Sequence, residues 1–129
     1  MRAVVCPPGE ALGLLAPIRG RRTDAQGRFD LADLIARGAA YKIVDGAGVV
    51  LGAYVLDANW PLLWITAGAG RADVDMTAVI DALVTAQGGG FAEVGFRTER
   101  PGLVRKARRL GYQVTSRDGP AYFLRKSLT

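Results

Sequence analysis

Histidine is missing from this chain. Its absence excludes an imidazole base, a histidine-based triad and a histidine metal site. Cysteine occurs once, as Cys6, so no intrachain disulfide can form. With one thiol and no imidazole a zinc site has no ligand set, and no metal is expected. Lone-cysteine usage also suits a reducing compartment. No apolar run reaches the length of a membrane span, so no membrane partner is expected. The opening run, residues 1–8, is too short for a signal peptide before Pro7 and Pro8 end it, and cytoplasmic residence is the default expectation. Proton transfer is left to Asp, Glu, Tyr, Lys, the Cys6 thiol or water. There is also no internal repeat, no low-complexity tract and no clear linker.

What is present points to one globular domain over residues 1–129. Half of the residues are hydrophobic and 22% are charged, enough to bury a single core without staples. The net charge of +5 is compatible with an anionic partner, either nucleic acid or a nucleotide-bearing cofactor, and equally with plain solubility.

Along the chain, a first strand fits residues 2–6, and Pro7-Pro8-Gly9 then breaks it. Leu12, Leu15 and Ile18 suit one face of a short helix, and the polar, basic residues 20–28 suit a loop. Asp30 can cap a second helix bearing Leu31, Leu34 and Ile35, with Gly38 at its stop. Residues 41–44 and 49–57 flank Asp45-Gly46-Ala47-Gly48, a hairpin signal. A further strand at 62–67 completes an antiparallel meander. After a turn region at 68–75, Met76, Val79, Ile80, Leu83 and Val84 form the apolar stripe of an amphipathic helix, closed by Gly88-Gly89-Gly90. A strand at 91–98 makes a βαβ crossover and hence pairs parallel with 62–67. Pro101 opens a helix with Leu103, Ala107 and Leu110 inward and Arg105, Arg108 and Arg109 outward. A hairpin of 112–117 and 121–126 turns over Asp118-Gly119.

The order β-α-α-β-β-β-α-β-α-β-β is a mixed α/β arrangement with helices on both faces of one sheet. With Arg71-Ala72-Asp73-Val74-Asp75-Met76 at the central turn and Leu110-Gly111-Tyr112 after the fourth helix, it resembles the GCN5-related N-acetyltransferase (GNAT) superfamily, as a divergent member. That family's turn reads Arg/Gln-x-x-Gly-x-Gly/Ala. Here Arg71 matches, Val74 and Met76 replace the small residues, and Asp73 and Asp75 add negative charge. The family's tyrosine, which protonates the leaving thiolate, falls on Ala107.

The resemblance implies transfer of an acetyl group from acetyl-CoA to an amine. Backbone groups of Ile65, Thr66 and Ala67 would then hold the pantetheine. Arg71 and the helix N-terminus at Val74, Asp75, Met76 and Thr77 would meet the pyrophosphate, because such a terminus presents unpaired amides. No catalytic residue is assigned; Asp57 and Glu93 are the acids able to face the cleft.

The alternatives remain open. The turn can be an ordinary strand-to-helix connection capped by Asp73 or Asp75. The domain can be a catalytically degenerate GNAT-like module that binds a protein partner. The basic set Arg97, Arg100, Arg105, Lys106, Arg108 and Arg109 can be a solvated face, a contact for the CoA 3′-phosphate or, least favoured, a nucleic-acid surface, for no aromatic interleaves with it. Glycines 68 and 70 evoke a dinucleotide fingerprint, but Asp73 stands at its third glycine. The closing hairpin suits a homodimer.

Overall fold

The computed structural model describes residues 1–18 and 29–129. The loop expected at 20–28 lies outside the described residues. The elements run β1 (Arg2–Val5), α1 (Pro8–Leu14), α2 (Leu31–Arg37), β2 (Ala39–Val44), β3 (Val50–Asn59), β4 (Leu62–Gly70), α3 (Met76–Gln87), β5 (Glu93–Thr98), α4 (Pro101–Arg109), β6 (Gln113–Asp118) and β7 (Ala121–Ser127).

Local chemistry explains most of these boundaries. Pro8 starts α1 instead of preventing it, since the first helical position needs no amide donor. Leu15 and Ile18 lie past α1, Ile18 in a short 3-10 turn (Ala16–Ile18). Asp30 caps α2 by accepting from the Asp33 amide at 2.9 Å. In the first hairpin Asp45 Oδ1 accepts from the amides of Ala47 and Val49, and Gly48 takes φ +83. Gly38 ends α2 for a different reason than a left-handed cap. Its backbone is extended, and a Cβ there would stand 2.5 Å from the Leu56 carbonyl oxygen.

The seven strands among the described residues join one sheet in the order β1-β2-β3-β4-β5-β7-β6. β1 to β4 are antiparallel neighbours, β4 and β5 pair parallel, and β7 lies between β5 and β6 in antiparallel pairing. The parallel pair follows from the α3 crossover, as the sequence leads one to expect.

Each face of the sheet carries its own core. On one, Ile80 and Val84 of α3 and Val104 and Ala107 of α4 pack on Tyr54, Leu63, Val94 and Leu124. On the other, Ala11, Leu15, Leu31 and Ile35 cover Cys6, Ala40, Val55 and Ala67. Burying apolar stripes from both sides at roughly 25 cal/mol per Å² is the main force holding this layered arrangement together.

Candidate functional site

The site is built around a parting of β4 from β5. The two strands pair from Leu62↔Glu93 to Ile65↔Phe96 and no further, although β4 continues to Gly70 and β5 to Thr98. The cause is visible in the next ladder. Val55 opposes Ala67 while Leu56 opposes Ile65, so Thr66 is an extra residue in β4. Such a bulge bends its strand and re-aims the side chains beyond it. The buried Thr66 hydroxyl donates to the Val55 carbonyl at 3.4 Å.

The extra residue also flips the alternation. Leu63 and Ile65 belong to the α3 and α4 core, whereas Ala67 and Ala69 belong to the α1 and α2 core. Glycines therefore face α3 where large residues would otherwise stand. A Cβ on Gly68 would lie 3.0 Å from Ile80, and one on Gly70 only 2.2 Å from the Met76 sulfur. A second bulge, at Leu51 in β3, adjusts the neighbouring ladder, and the Leu51 carbonyl accepts from the Arg71 amide at 3.0 Å. This bond ties down the far end of β4.

The connection to α3 is short because β4 runs three residues beyond the strand end expected at 67, so residues 68–70 are strand and the turn is 71–75. Met76 replaces a small residue of the family's turn without blocking it, since its side chain points into the sheet over Gly52 and Gly70. The polar groups are another matter. Arg71 grips Asp73 through two bonds, Nε to Oδ1 at 3.1 Å and Nη2 to Oδ2 at 2.8 Å. This pair holds the Asp73 carboxyl below its ordinary pKa, first through the hydrogen bond from Arg71. Asp75 is the N-cap, accepting from the Ala78 amide at 3.3 Å, and the Met76 amide donates to the Val74 carbonyl at 2.9 Å. Of the amides of Met76, Thr77 and Ala78, only that of Thr77 lacks an acceptor among the described residues.

For the pyrophosphate that the sequence motif suggests, the side chains of this turn carry opposing charge. The arginine is paired, and two carboxylates supply charge of the same sign as a phosphate. Past Ile65 the β5 side of β4 has no strand beside it among the described residues.

The remaining candidates fall at other places. Glu93 opposes Leu62 and Ser127 at the closed end of the parallel pair and lies 3.8 Å from Arg125. Asp57 opposes Trp64, on the same side of the bulge. Neither acid stands where the strands part. Ala107 is fully buried in the core, and Gly111 closes α4 at φ +99. The buried Tyr112 stacks edge-on against Phe96, ring centroids 5.2 Å apart. Its hydroxyl has no hydrogen-bond partner among the described residues, and burial, then the negative field of Asp81, raises its pKa. Asp81 itself is paired with Lys126 at 2.9 Å. A shallow cavity of about 290 Å³ beside Trp60, Gly88 and Phe91 lies at the opposite, closed end of β4 and β5. Among the described residues no three metal-ligating side chains converge, and no helix is long and apolar enough to cross a membrane.

Sequence reasoning missed the Thr66 bulge and the Gly52–Gly70–Met76 contact. Glycine at both 68 and 70, in a period of two, is the trace that the contact leaves in the sequence.

No protein-family profile matches the chain, and no curated protein does. Solved structures do. A Bacillus subtilis acetyltransferase in complex with CoA superposes with a TM-score of 0.72 at 13% identity, over 99% of both chains. An IAA acetyltransferase from Bacillus cereus gives 0.68 at 16%, over 97% of both. A GNAT family acetyltransferase from Elizabethkingia anophelis with acetyl-CoA bound gives 0.64 at 12%, over 98% of both. Together with the seven-stranded sheet, the parallel central pair and the helices on both faces, these likenesses show that the chain has the fold of the GCN5-related N-acetyltransferase superfamily, in a divergent form.

Proposed function

We propose that this domain binds a pantetheine thioester along β4 where it parts from β5 and promotes transfer of its acyl group to an amine. The observation that supports the reading is the separation of β4 from β5 at Thr66. Past Ile65 the β5 side of β4 has no strand beside it among the described residues, and an extended amide-bearing chain can lie there in the manner of an added strand. Structures of the same fold that hold CoA or acetyl-CoA make acetyl the first acyl group to test.

In the reaction the amine nitrogen bonds to the acyl carbon and the carbon–sulfur bond breaks. The thiolate takes up a proton, and the nitrogen gives one up to solvent. What the chain supplies is placement: backbone of Ile65, Thr66 and Ala67 orients the thioester, and the walls of α3 and α4 limit water. Holding two reactants in attack geometry is worth about 7–11 kcal/mol where it is fully achieved, so the alanine at 107 does not abolish catalysis. The deciding experiment is a thermal melt with and without acetyl-pantetheine. A ligand present at about 100 times its Kd stabilises the domain by about 2.7 kcal/mol, whereas an unmoved Tm removes the reading.

A second reading, a domain of this fold that binds a partner without chemistry, draws on the self-paired Arg71–Asp73 turn and on Ala107. It is favoured if acetyl-pantetheine stabilises the domain while no thiol is released in the presence of a panel of amines.

A further inference from the structure

The acidic turn before α3 and the basic helix α4 share one explanation, which rests on the pantetheine reading above. α4 carries Arg105, Lys106, Arg108 and Arg109, all exposed, and contains no acid. Elsewhere Lys42, Arg71, Arg125 and Lys126 each stand within 4 Å of a carboxylate, the longest separation being 3.8 Å. The four cations of α4 form no ion pair among the described residues. They repel one another at spacings of three and four residues. The helix dipole favours cations in the last turn but not at the start, where Arg100 is the N-cap residue and makes no side-chain capping bond. Arg105 bends toward that same end, its Nη2 3.7 Å from the position of a Cβ on Gly102. That end is the mouth of the cleft, since α4 begins three residues after β5 ends.

A nucleotide's pyrophosphate at the turn before α3 would meet the carboxylates of Asp73 and Asp75. A helix that begins at the mouth and carries four cations, unpaired among the described residues and three of them in its last turn, offers a surface to an anionic partner outside the cleft. We infer that the acyl donor is a phosphopantetheine arm carried on an acidic protein, whose carboxylate-rich surface docks on α4 while the arm enters between β4 and β5. Such an arm brings a single phosphodiester in place of a pyrophosphate and a 3′-phosphate. The bond changes are those given above, with the carrier's pantetheine thiol as leaving group.

The test titrates the full chain with acetyl-pantetheine, acetyl-CoA, an acidic acyl carrier protein bearing an acetyl-phosphopantetheine arm, and a short DNA duplex. The carrier should bind at least about tenfold tighter than acetyl-CoA, with strong salt dependence. Arg105→Glu combined with Arg108→Glu should remove that gain and leave the affinity for acetyl-pantetheine unchanged. The milder pair Arg105→Gln and Arg108→Gln, which keeps the helix soluble and folded, should remove part of it. Acetyl-CoA binding as tightly as the carrier, or carrier binding indifferent to either pair, overturns the inference. So does DNA that binds the same face as tightly, which would make α4 a nucleic-acid surface. Acetyl-pantetheine that binds while the carrier adds nothing sinks the partner and leaves the cleft reading standing. Acetyl-pantetheine that fails to bind sinks the cleft reading itself.

Discussion

Asp73 shows how one side chain redirects a familiar turn. Its carboxylate holds Arg71 through two bonds and adds negative charge at the N-terminal end of α3. Asp73→Ala frees the guanidinium and removes one anion. The affinity for acetyl-CoA, measured by calorimetry against acetyl-pantetheine as reference, should rise about fivefold, on the order of 1 kcal/mol for one exposed charge pair. An unchanged ratio would mean that the turn never meets the phosphates.

Tyr112 offers a second residue-scale test. Its hydroxyl is buried without a hydrogen-bond partner among the described residues, so Tyr112→Phe should be neutral or stabilising by up to about 1 kcal/mol near pH 7. The folded pKa lies above the ordinary value of 10.0. The phenol's contribution to stability is thus complete below pH 10 and is lost as pH rises through the folded pKa, because the unfolded chain ionises first. Urea melts at pH 8 and pH 11 should show a smaller alkaline loss for the Phe variant, with the remaining loss owed partly to the buried Tyr54, whose pKa is raised in the same way.

At the scale of elements, the end of β4 is shaped by what glycine allows. Gly52 and Gly70 make room for Met76, and a Cβ on Gly52 would lie 2.5 Å from the Ala69 carbonyl oxygen. Backbone cannot withdraw from such a contact cheaply. Gly52→Ala should therefore destabilise the fold by about 1–3 kcal/mol in urea melts, the usual cost of overpacking. Removing the α2 cap by Asp30→Ala should cost about 1 kcal/mol, read from the same melts. These two differ in how well the sequence announces them. Asp30 with Asp33 and the apolar run behind it is a local signal, and the cap forms as expected. The β4 terminus is non-local, because its partners are Leu51 and Gly52 on β3 and Met76 on α3. Pattern reading at 62–67 accordingly stops three residues short of Gly70.

For the molecule as a whole, the order of elements was legible in the sequence because each strand or helix carries its own period and its own punctuation. The αα pair, the meander, the βαβ crossover and the last hairpin all rest on neighbours within a few residues or on the handedness of a single connection. The cleft was only half legible. Parallel pairing of β4 and β5 follows from the crossover, but the point where they part depends on a bulge, and nothing local marks Thr66 as the extra residue. Charge shows the same division. That four cations share α4 without an acid, and that two aspartates precede α3, can be read from composition and helical spacing. That Arg71 pairs with Asp73, that Met76 turns inward and that Glu93 and Asp57 sit away from the opening emerges from the folded chain. The physical reason is that a side chain's type is local, whereas its partner and its direction are set by register, and register belongs to the folded sheet.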